Sequence, residues 1–220
     1  MSSSSGVTAP RFVVFEGVDG VGKSTLATAL TRYYAATMPA VPVYHSSFPG
    51  SEPGTLGAWV YRFHHNDAVD APSPASVAPP ALQLLHVAAH VDAITTRLVP
   101  AFHHGSTVIL DRYWWSTYAY ARLHLPPDVA WALVDAERPF WREMPHPIVL
   151  YVTRARSLKA YELDAEAHTA IDRAYREVIV EERGQGVQVH DLGNEGPLQE
   201  TWAALLKILG LPDARMENSV

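Results

Sequence analysis

A glycine-rich segment holds the residues best suited to chemistry. Residues 17–24 read Gly-Val-Asp-Gly-Val-Gly-Lys-Ser, which is two glycines separated by four residues and followed by Lys23 and Ser24. Glycines let successive backbone N–H groups turn toward one anion, and a helix that starts here adds the positive end of its dipole. Lys23 would neutralise outer phosphates, and the Ser24 hydroxyl could ligate Mg²⁺. The pattern predicts a phosphate-binding loop; a chance glycine turn before a helix is the alternative.

An apolar strand that ends in a carboxylate is the second candidate. Residues 107–110 (TVIL) read as a buried strand, and Asp111 closes it. Ligands bind at the carboxyl edge of parallel sheets, where an aspartate can hold Mg²⁺ directly or through water. Many strands end in aspartate, so Asp111 alone is weak evidence for a metal site. The phosphate-loop pattern earlier in the sequence makes that interpretation stronger. We predict Ser24 and Asp111 as the metal ligands.

Apolar runs alternate with segments of helical periodicity along the chain. The predicted strands are 11–16, 41–45, 107–110, 147–152 and 187–190. The predicted helices are 23–34, 59–63, 84–98, 129–141, 157–182 and 198–209, with Pro100 and Gly105 helping to end the third. Strands separated by helical crossovers imply parallel pairing. We therefore predict an α/β three-layer sandwich with a parallel sheet of about five strands.

One domain accounts for this length. We expect it to span 11–212, between a disordered tail at 1–10 and a second tail at 213–220. Four prolines in 71–80 predict a surface connection.

Composition excludes several classes of protein. The 220 residues are 48% hydrophobic and 18% charged, which is typical of a globular chain and not of a disordered or fibrous one. A net charge of −6 argues against binding long nucleic acids through their phosphates. The absence of cysteine excludes disulfides, thiolate metal sites and a cysteine nucleophile. No apolar run is long enough to cross a membrane, so we expect a cytoplasmic protein. Eleven histidines beside 17 Lys and Arg residues are an unusual ratio.

These motifs resemble the thymidylate kinase family of nucleoside monophosphate kinases. The similarity is carried by 15–25 (FEGVDGVGKST) and by Asp111-Arg112-Tyr113, with weaker matches at Phe48-Pro49 and in the helix around 84–91. It implies the P-loop nucleotide kinase fold, with ATP as donor, Mg²⁺ as cofactor and a nucleoside 5′-monophosphate such as dTMP as acceptor. It also implies a homodimer and a basic lid over about 153–166.

The resemblance assigns roles to individual residues. Asp19 would lie near the acceptor, Arg112 would bridge the phosphates, and the lid would supply a catalytic arginine. The implied catalytic residues are Lys23, Asp111, Arg112, Arg154 and Arg156. The implied ATP-binding residues are Gly17, Asp19, Gly20, Val21, Gly22, Lys23, Ser24 and Thr25. The predicted acceptor-binding residues are Asp19, Phe48, Pro49, Arg62, His86, His90, Arg112, Tyr113, Trp115 and Tyr120.

The acceptor site departs from the family pattern. The family has a phenylalanine that stacks on thymine and, four residues later, an arginine that holds the acceptor; His86 and His90 stand at those places. Gly50 and Ser51 stand where one branch supplies a phosphate-binding arginine. A histidine is mostly neutral near pH 7 unless an anion raises its pKa, so it does not simply replace a guanidinium. A structural role and a metal-binding pair are the alternatives for the two histidines.

Several acceptor candidates have a plainer explanation. Arg62 follows two aromatic residues and could line an acceptor wall or end an amphipathic helix. Residues 113–120 (YWWSTYAY) could stack on a base, but core packing accounts for most of them.

Three functions remain open at this level. The first is ATP- and Mg²⁺-dependent phosphorylation of dTMP or another pyrimidine or modified nucleotide. The second is the same chemistry on a nucleoside or another small metabolite. The third is a nucleotide-binding module without transferase activity.

Overall fold

The computed structural model describes residues 9–65, 67, 71–155 and 165–215. Its strands are β1 (Phe12–Glu16), β2 (Val43–Ser47), β3 (Thr107–Asp111), β4 (Ile148–Thr153) and β5 (Gln188–Gly193). Every neighbouring pair is parallel, and the strand order is β2-β3-β1-β4-β5. This confirms the predicted α/β fold with a five-stranded parallel sheet.

Helices cover both faces of the sheet. They are α1 (Lys23–Thr37), α2 (Leu56–His64), α3 (Pro79–Ala93), α4 (Val99–His103), α5 (Trp114–Ala121), α6 (Pro127–Asp135), α7 (Ala165–Gly184) and α8 (Leu198–Ile208). Short 3₁₀ turns occupy Pro74–Ser76 and Arg138–Glu143.

The observed helices differ from the predicted ones in several places. Helix α3 starts at Pro79, because prolines fit the first helical turn, where their missing N–H needs no partner. The predicted helix over 129–141 ends at Asp135 and gives way to a 3₁₀ turn. Helix α5 was not predicted, because its sequence is almost entirely apolar and shows no amphipathic period.

Pro100 does not end the long helix, contrary to the prediction. Residues Ile94–Leu98 form a π-helical turn, in which the N–H of Val99 bonds to the carbonyl oxygen of Ile94. Such a widened turn accommodates an interruption of the normal hydrogen-bond ladder, and the chain stays helical to His103. Gly105, with a φ of +91°, follows the helix end.

The sheet positions the candidate site through its carboxyl edge. Strands β1 and β3 are buried along their whole length. Phe15 pairs with Asp111, and Glu16 pairs with Tyr151, so the loops after β1, β3 and β4 emerge side by side. Parallel strands make this juxtaposition unavoidable, because all of their carboxyl ends lie at one edge.

Some predictions lie outside the described residues. These are most of the tail at 1–10, the end of the tail at 213–220, the first part of the helix predicted over 157–182, and most of the lid at 153–166. Among the described helices, none combines the length and the apolar character that crossing a membrane requires.

Leu30 offers a test of the packing between α1 and the sheet. Its side chain is completely buried, whereas Leu84 on α3 is 48% exposed. We expect Leu30→Ala to lower the free energy of unfolding by about 2–5 kcal/mol, through lost burial and the cavity left behind. Urea unfolding measures the change. Leu84→Ala is the control, and an equal loss in both variants would contradict the described core.

Candidate functional site

The glycine-rich segment forms a tight loop between β1 and α1. Gly17, Gly20 and Gly22 all have positive φ values, which side chains rarely adopt. A Cβ at Gly17 would also clash with the carbonyl oxygen of Val152 on β4. Helix α1 begins at Lys23 with no acidic residue in its first turn, so the positive end of its dipole faces the loop. The loop geometry is that of an anion-binding turn.

Lys23 is the buried cation of this loop. Its Nζ donates to the carbonyl oxygen of Val18 at 2.8 Å. Burial and the charge of Arg112 lower the pKa of Lys23 to about 8, while Asp111 and Asp19 act in the opposite direction. A cation held in a poorly solvated place interacts strongly with any anion that enters.

The side chains of Ser24 and Asp111, the predicted metal ligands, lie in contact beside the loop. The Ser24 hydroxyl donates to Asp111 Oδ2 at 2.5 Å. Asp111 is buried, and its other oxygen, Oδ1, has no hydrogen-bond partner within the part of the chain that the structure describes. An unpartnered buried carboxylate oxygen beside a hydroxyl is the hard oxygen donor set that Mg²⁺ prefers. These two residues therefore fit a magnesium ion.

A buried carboxylate, Glu16, connects the loop to its surroundings. Its oxygens accept from the N–H groups of Gly17 (3.3 Å), Tyr113 (2.8 Å) and Ser116 (3.0 Å) and from the hydroxyls of Ser116 (2.8 Å) and Tyr175 (3.0 Å). Burial raises the pKa of Glu16, while Arg112 and the hydrogen bonds counteract that effect. The carboxylate thus fastens β1, the start of α5 and helix α7 together.

Arg112 occupies a strained turn at the mouth of the loop. Its φ of +80° lies in the left-handed region, and its N–H bonds to the carbonyl oxygen of Phe15 at 2.9 Å. Its guanidinium pairs with Asp19 and donates to Ser116 Oγ at 3.0 Å. The Tyr120 hydroxyl donates to the other Asp19 oxygen at 2.5 Å. Non-glycine residues in this region cost on the order of 1–3 kcal/mol and cluster at functional sites.

A cleft of about 940 Å³ opens beside the loop. It contains eight of the predicted acceptor residues: Asp19, Phe48, Pro49, His86, His90, Arg112, Tyr113 and Tyr120. Of the predicted ATP-binding residues it contains Asp19, Gly20, Gly22, Lys23, Ser24 and Thr25. The phosphate loop and the histidines of α3 therefore share one cavity.

His90 belongs to a buried cluster at one wall of the cleft. Its Nδ1 lies 2.6 Å from Glu137 Oε2, and Trp141 Nε1 donates to Glu137 Oε1 at 3.1 Å. Phe48 stacks on the His90 ring with centroids 4.3 Å apart. His90 is 3% exposed and Glu137 is completely buried.

His86 pairs with a histidine of α2. The Nε2 atoms of His86 and His64 are 2.8 Å apart, and the two rings stack with centroids at 4.7 Å. Burial, together with the charges of His64, His90 and Arg112, lowers the pKa of His86 to about 3. His86 is therefore neutral at physiological pH. No group of three or more metal-ligating side chains occurs in the described residues, so a metal site at the histidines receives no support.

Of the predicted catalytic and acceptor-binding residues, three do not line the cleft and a fourth lies outside the described residues. Arg62 is exposed and lines a second, smaller pocket instead of the cleft. Trp115 is completely buried in the core with the neighbouring aromatic residues, as the plainer explanation expected. Arg154 follows β4, half-buried and outside the residues that line the cleft. Arg156 lies outside the described residues.

Sequence reasoning missed several residues of the site. Glu16 carried a signal, since it is a charged residue at the end of a buried strand. Asn194 carried none: its Nδ2 donates to the carbonyl oxygen of Val21 at 2.7 Å and fixes the phosphate loop from the end of β5. Glu137 and Tyr175 reach the site from distant segments, and no local pattern marks them.

Comparisons with known proteins agree with this geometry. A family model described as thymidylate kinase matches residues 15–173. Among curated proteins, the thymidylate kinase of Chlamydia caviae is 36% identical over 109 residues, covering 50% of this chain and 48% of that protein. The thymidylate kinase of Albidiferax ferrireducens is also 36% identical over 109 residues, covering 50% of this chain and 45% of that protein. The chain spans about half the length of these relatives.

A solved structure extends the likeness in fold. The thymidylate kinase of Ehrlichia chaffeensis superposes with a TM-score of 0.71, covering 93% of this chain and 100% of that one. At 17% sequence identity this similarity shows the fold alone.

The Glu16 cluster predicts a stability change. In Glu16→Gln an amide N–H₂ would meet donors that need an acceptor, so we expect the free energy of unfolding to fall by about 1–3 kcal/mol. Urea unfolding gives the value, and Glu143→Gln, at an exposed position, is the control. An unchanged midpoint for Glu16→Gln would refute the role assigned to this carboxylate.

Lys23 predicts a pH dependence of stability. Its pKa is about 8 in the folded protein and has an ordinary value of 10.5. Between these values the unfolded chain holds the proton that the folded protein has lost, so this group makes stability rise with pH. We therefore expect the unfolding free energy of the native protein, relative to that of Lys23→Met, to rise by on the order of 2–3 kcal/mol from pH 7 to pH 10. Urea titrations at each pH test this, and a constant difference would contradict the burial of Lys23.

Proposed function

The chain belongs to the thymidylate kinase family, and on that premise we propose that it transfers the γ-phosphoryl group of ATP to dTMP, forming dTDP and ADP. The observation that carries the proposal is the shared cavity. A phosphate loop with Lys23, Ser24 and an Asp111 oxygen in need of a partner opens into the same cleft as Arg112 and the histidines of α3.

The reaction needs positioning and charge neutralisation more than covalent chemistry. An oxygen of the acceptor phosphate forms a bond to the γ-phosphorus while the bond to the β,γ-bridging oxygen breaks, and ADP leaves with that electron pair. No proton has to move when the acceptor is a dianion. We assign the donor phosphates to Lys23 and the loop N–H groups, and the bridging contact between donor and acceptor to Arg112.

Ser24 and Asp111 are the residues that would hold magnesium. When bound there, Mg²⁺ would neutralise charge on the donor phosphates. Asp111 supplies the carboxylate, and the short hydrogen bond to Ser24 keeps both oxygens on one side of the loop.

Arginines after β4 are our candidates for the lid. Arg154 follows the strand whose Val152 carbonyl oxygen lies against Gly17, so its backbone is close to the phosphate loop. We assign to Arg154 or Arg156 the stabilisation of charge on the migrating phosphoryl group. The homodimer and the cytoplasmic location expected from the sequence stay predictions.

Removing the charge of Lys23 tests the assignment. We expect Lys23→Ala to lower dTMP-dependent ADP release at least about 100-fold, because the donor phosphates lose their buried cation. A coupled ADP-release assay over a panel of nucleoside monophosphates and nucleosides measures the rates, and circular dichroism checks the fold.

Lys207→Ala is the matched control, because Lys207 is exposed in the last turn of α8. Wild-type rates in Lys23→Ala would defeat the proposal. Turnover with nucleosides but not with dTMP would show that dTMP is not the acceptor and that the proposed reaction is wrong.

A further inference from the structure

The peptide group that joins Val21 to Gly22 is held by a side chain from outside the phosphate loop. Asn194, which directly follows β5, donates from Nδ2 to the carbonyl oxygen of Val21 at 2.7 Å, and it is 3% exposed. Gly22 stands at the start of α1 with a φ of +100°. A Cβ at that position would clash with Asn194 Nδ2. The asparagine amide therefore packs directly against this one peptide group.

Neighbouring groups fix the orientation of the Asn194 side chain. The carbonyl oxygen of Val21 can only accept a hydrogen bond, so the NH₂ end of the amide must face it. The other end, Oδ1, accepts from the buried hydroxyl of Thr201 on α8 at 3.1 Å. The backbone N–H of Asn194 donates to the carbonyl oxygen of Thr153 at 2.9 Å and anchors the residue to β4. The amide therefore cannot turn without losing hydrogen bonds at both of its ends.

This contact determines where the N–H of Gly22 points. The Val21–Gly22 peptide is trans, because Phe48–Pro49 is the one cis bond in the described part of the chain. In a trans peptide the carbonyl and the N–H point in opposite directions, so Gly22 directs its N–H away from Asn194. Gly22 lines the cleft, whereas Asn194 and Thr201 do not. Within the described residues this N–H has no hydrogen-bond partner, which leaves it available to an anion.

The opposite end of the loop is held in a different way. There Glu16 accepts from the N–H of Gly17 at 3.3 Å, so that N–H is already engaged. Asn194 instead engages a carbonyl oxygen and leaves the N–H of Gly22 without a partner in the described residues. The first anchor therefore consumes a donor of the loop, whereas the second presents one.

We propose that Asn194, oriented by Thr201, is a positioning residue for the nucleotide donor: it holds the N–H of Gly22 toward the donor phosphates and thereby sets the affinity for the donor. A preoriented N–H dipole binds an anion without the cost of turning a peptide group during binding. Without the amide, the same peptide could turn its carbonyl oxygen toward the cleft, where that oxygen would repel a phosphate. This inference rests on the proposed function only in taking the bound anion to be a nucleotide polyphosphate.

Steady-state kinetics separate this role from a general loosening of the structure. The KM for ATP and the KM for dTMP would be measured in the native protein, in Asn194→Ala and in the control Thr37→Val, which alters an exposed threonine at the end of α1. We expect Asn194→Ala to raise the KM for ATP about tenfold, the effect of misplacing one hydrogen bond to a charged group. Its KM for dTMP should stay within about twofold of the native value. Thr37→Val should match the native protein in both constants.

Calorimetric titration of ADP supplies a readout that does not depend on turnover or on the identity of the acceptor. ADP would be titrated into the native protein and into Asn194→Ala, with circular dichroism to confirm that the variant is folded. We expect the affinity for ADP to fall about tenfold, in step with the KM for ATP. Because Asn194 does not line the cleft, this loss cannot come from a direct contact with the ligand.

Variants of Thr201 test the orientation of the amide while the amide stays in place. Thr201→Val has nearly the same shape but lacks the hydroxyl, so we expect it to bind ADP about threefold more weakly. Thr201→Ser keeps the hydroxyl and should bind ADP within about twofold of the native protein. Equal losses in the two variants would contradict the orienting hydrogen bond. This pair decides the question if Asn194→Ala does not fold.

Native affinity for ADP in folded Asn194→Ala, or equal increases in its KM for ATP and its KM for dTMP, would overturn the inference. Absence of dTMP turnover in the native protein, together with weaker ADP binding in Asn194→Ala, would contradict the proposed function and leave the positioning role of Asn194 in place.

Discussion

The buried carboxylate of Glu16 is the interaction on which the rest of the site depends. It gathers donors from the phosphate loop, from the start of α5 and from α7, so these segments are held at fixed distances. A buried charge is tolerated only when its hydrogen bonds are satisfied, so the loss of one donor destabilises the whole cluster. Arg112 can keep its left-handed backbone because the residue that follows it donates its N–H to Glu16. On the far side of the loop, Asn194 performs a similar task from β5.

Charge is distributed unevenly over the cleft that this frame supports. The side of the cleft at the glycine-rich loop combines a buried lysine, a helix N-terminus and a set of loop N–H groups. The α3 side of the cleft carries imidazole rings, of which His86 stays neutral and His90 contacts the Glu137 carboxylate. Four of the eleven histidines line this cleft, namely His64, His65, His86 and His90.

Local patterns predicted the parts of this molecule that are local in origin. The phosphate loop, the five strands and the Ser24 to Asp111 juxtaposition follow from glycine spacing, apolar runs and the rule that parallel strands share one edge. What could not be predicted depends on distant segments. Glu137 meets His90 across 47 residues of sequence, and Asn194 meets Val21 across 173. Arg62 and Trp115 show the opposite error, because a residue type suited to a nucleotide cleft says nothing about which way its helix faces. Helix α5 was not predicted either, because its apolar sequence has no amphipathic period that would indicate a helix.

Phosphorus NMR of the native protein with ATP, Mg²⁺ and dTMP tests the central claim most directly. The account predicts that the γ-phosphorus signal of ATP falls to an equilibrium level while the signals of ADP and of a nucleoside diphosphate formed from dTMP grow in equal amounts. Release of inorganic phosphate in place of dTDP, or ATP that persists beside unchanged dTMP, would contradict it.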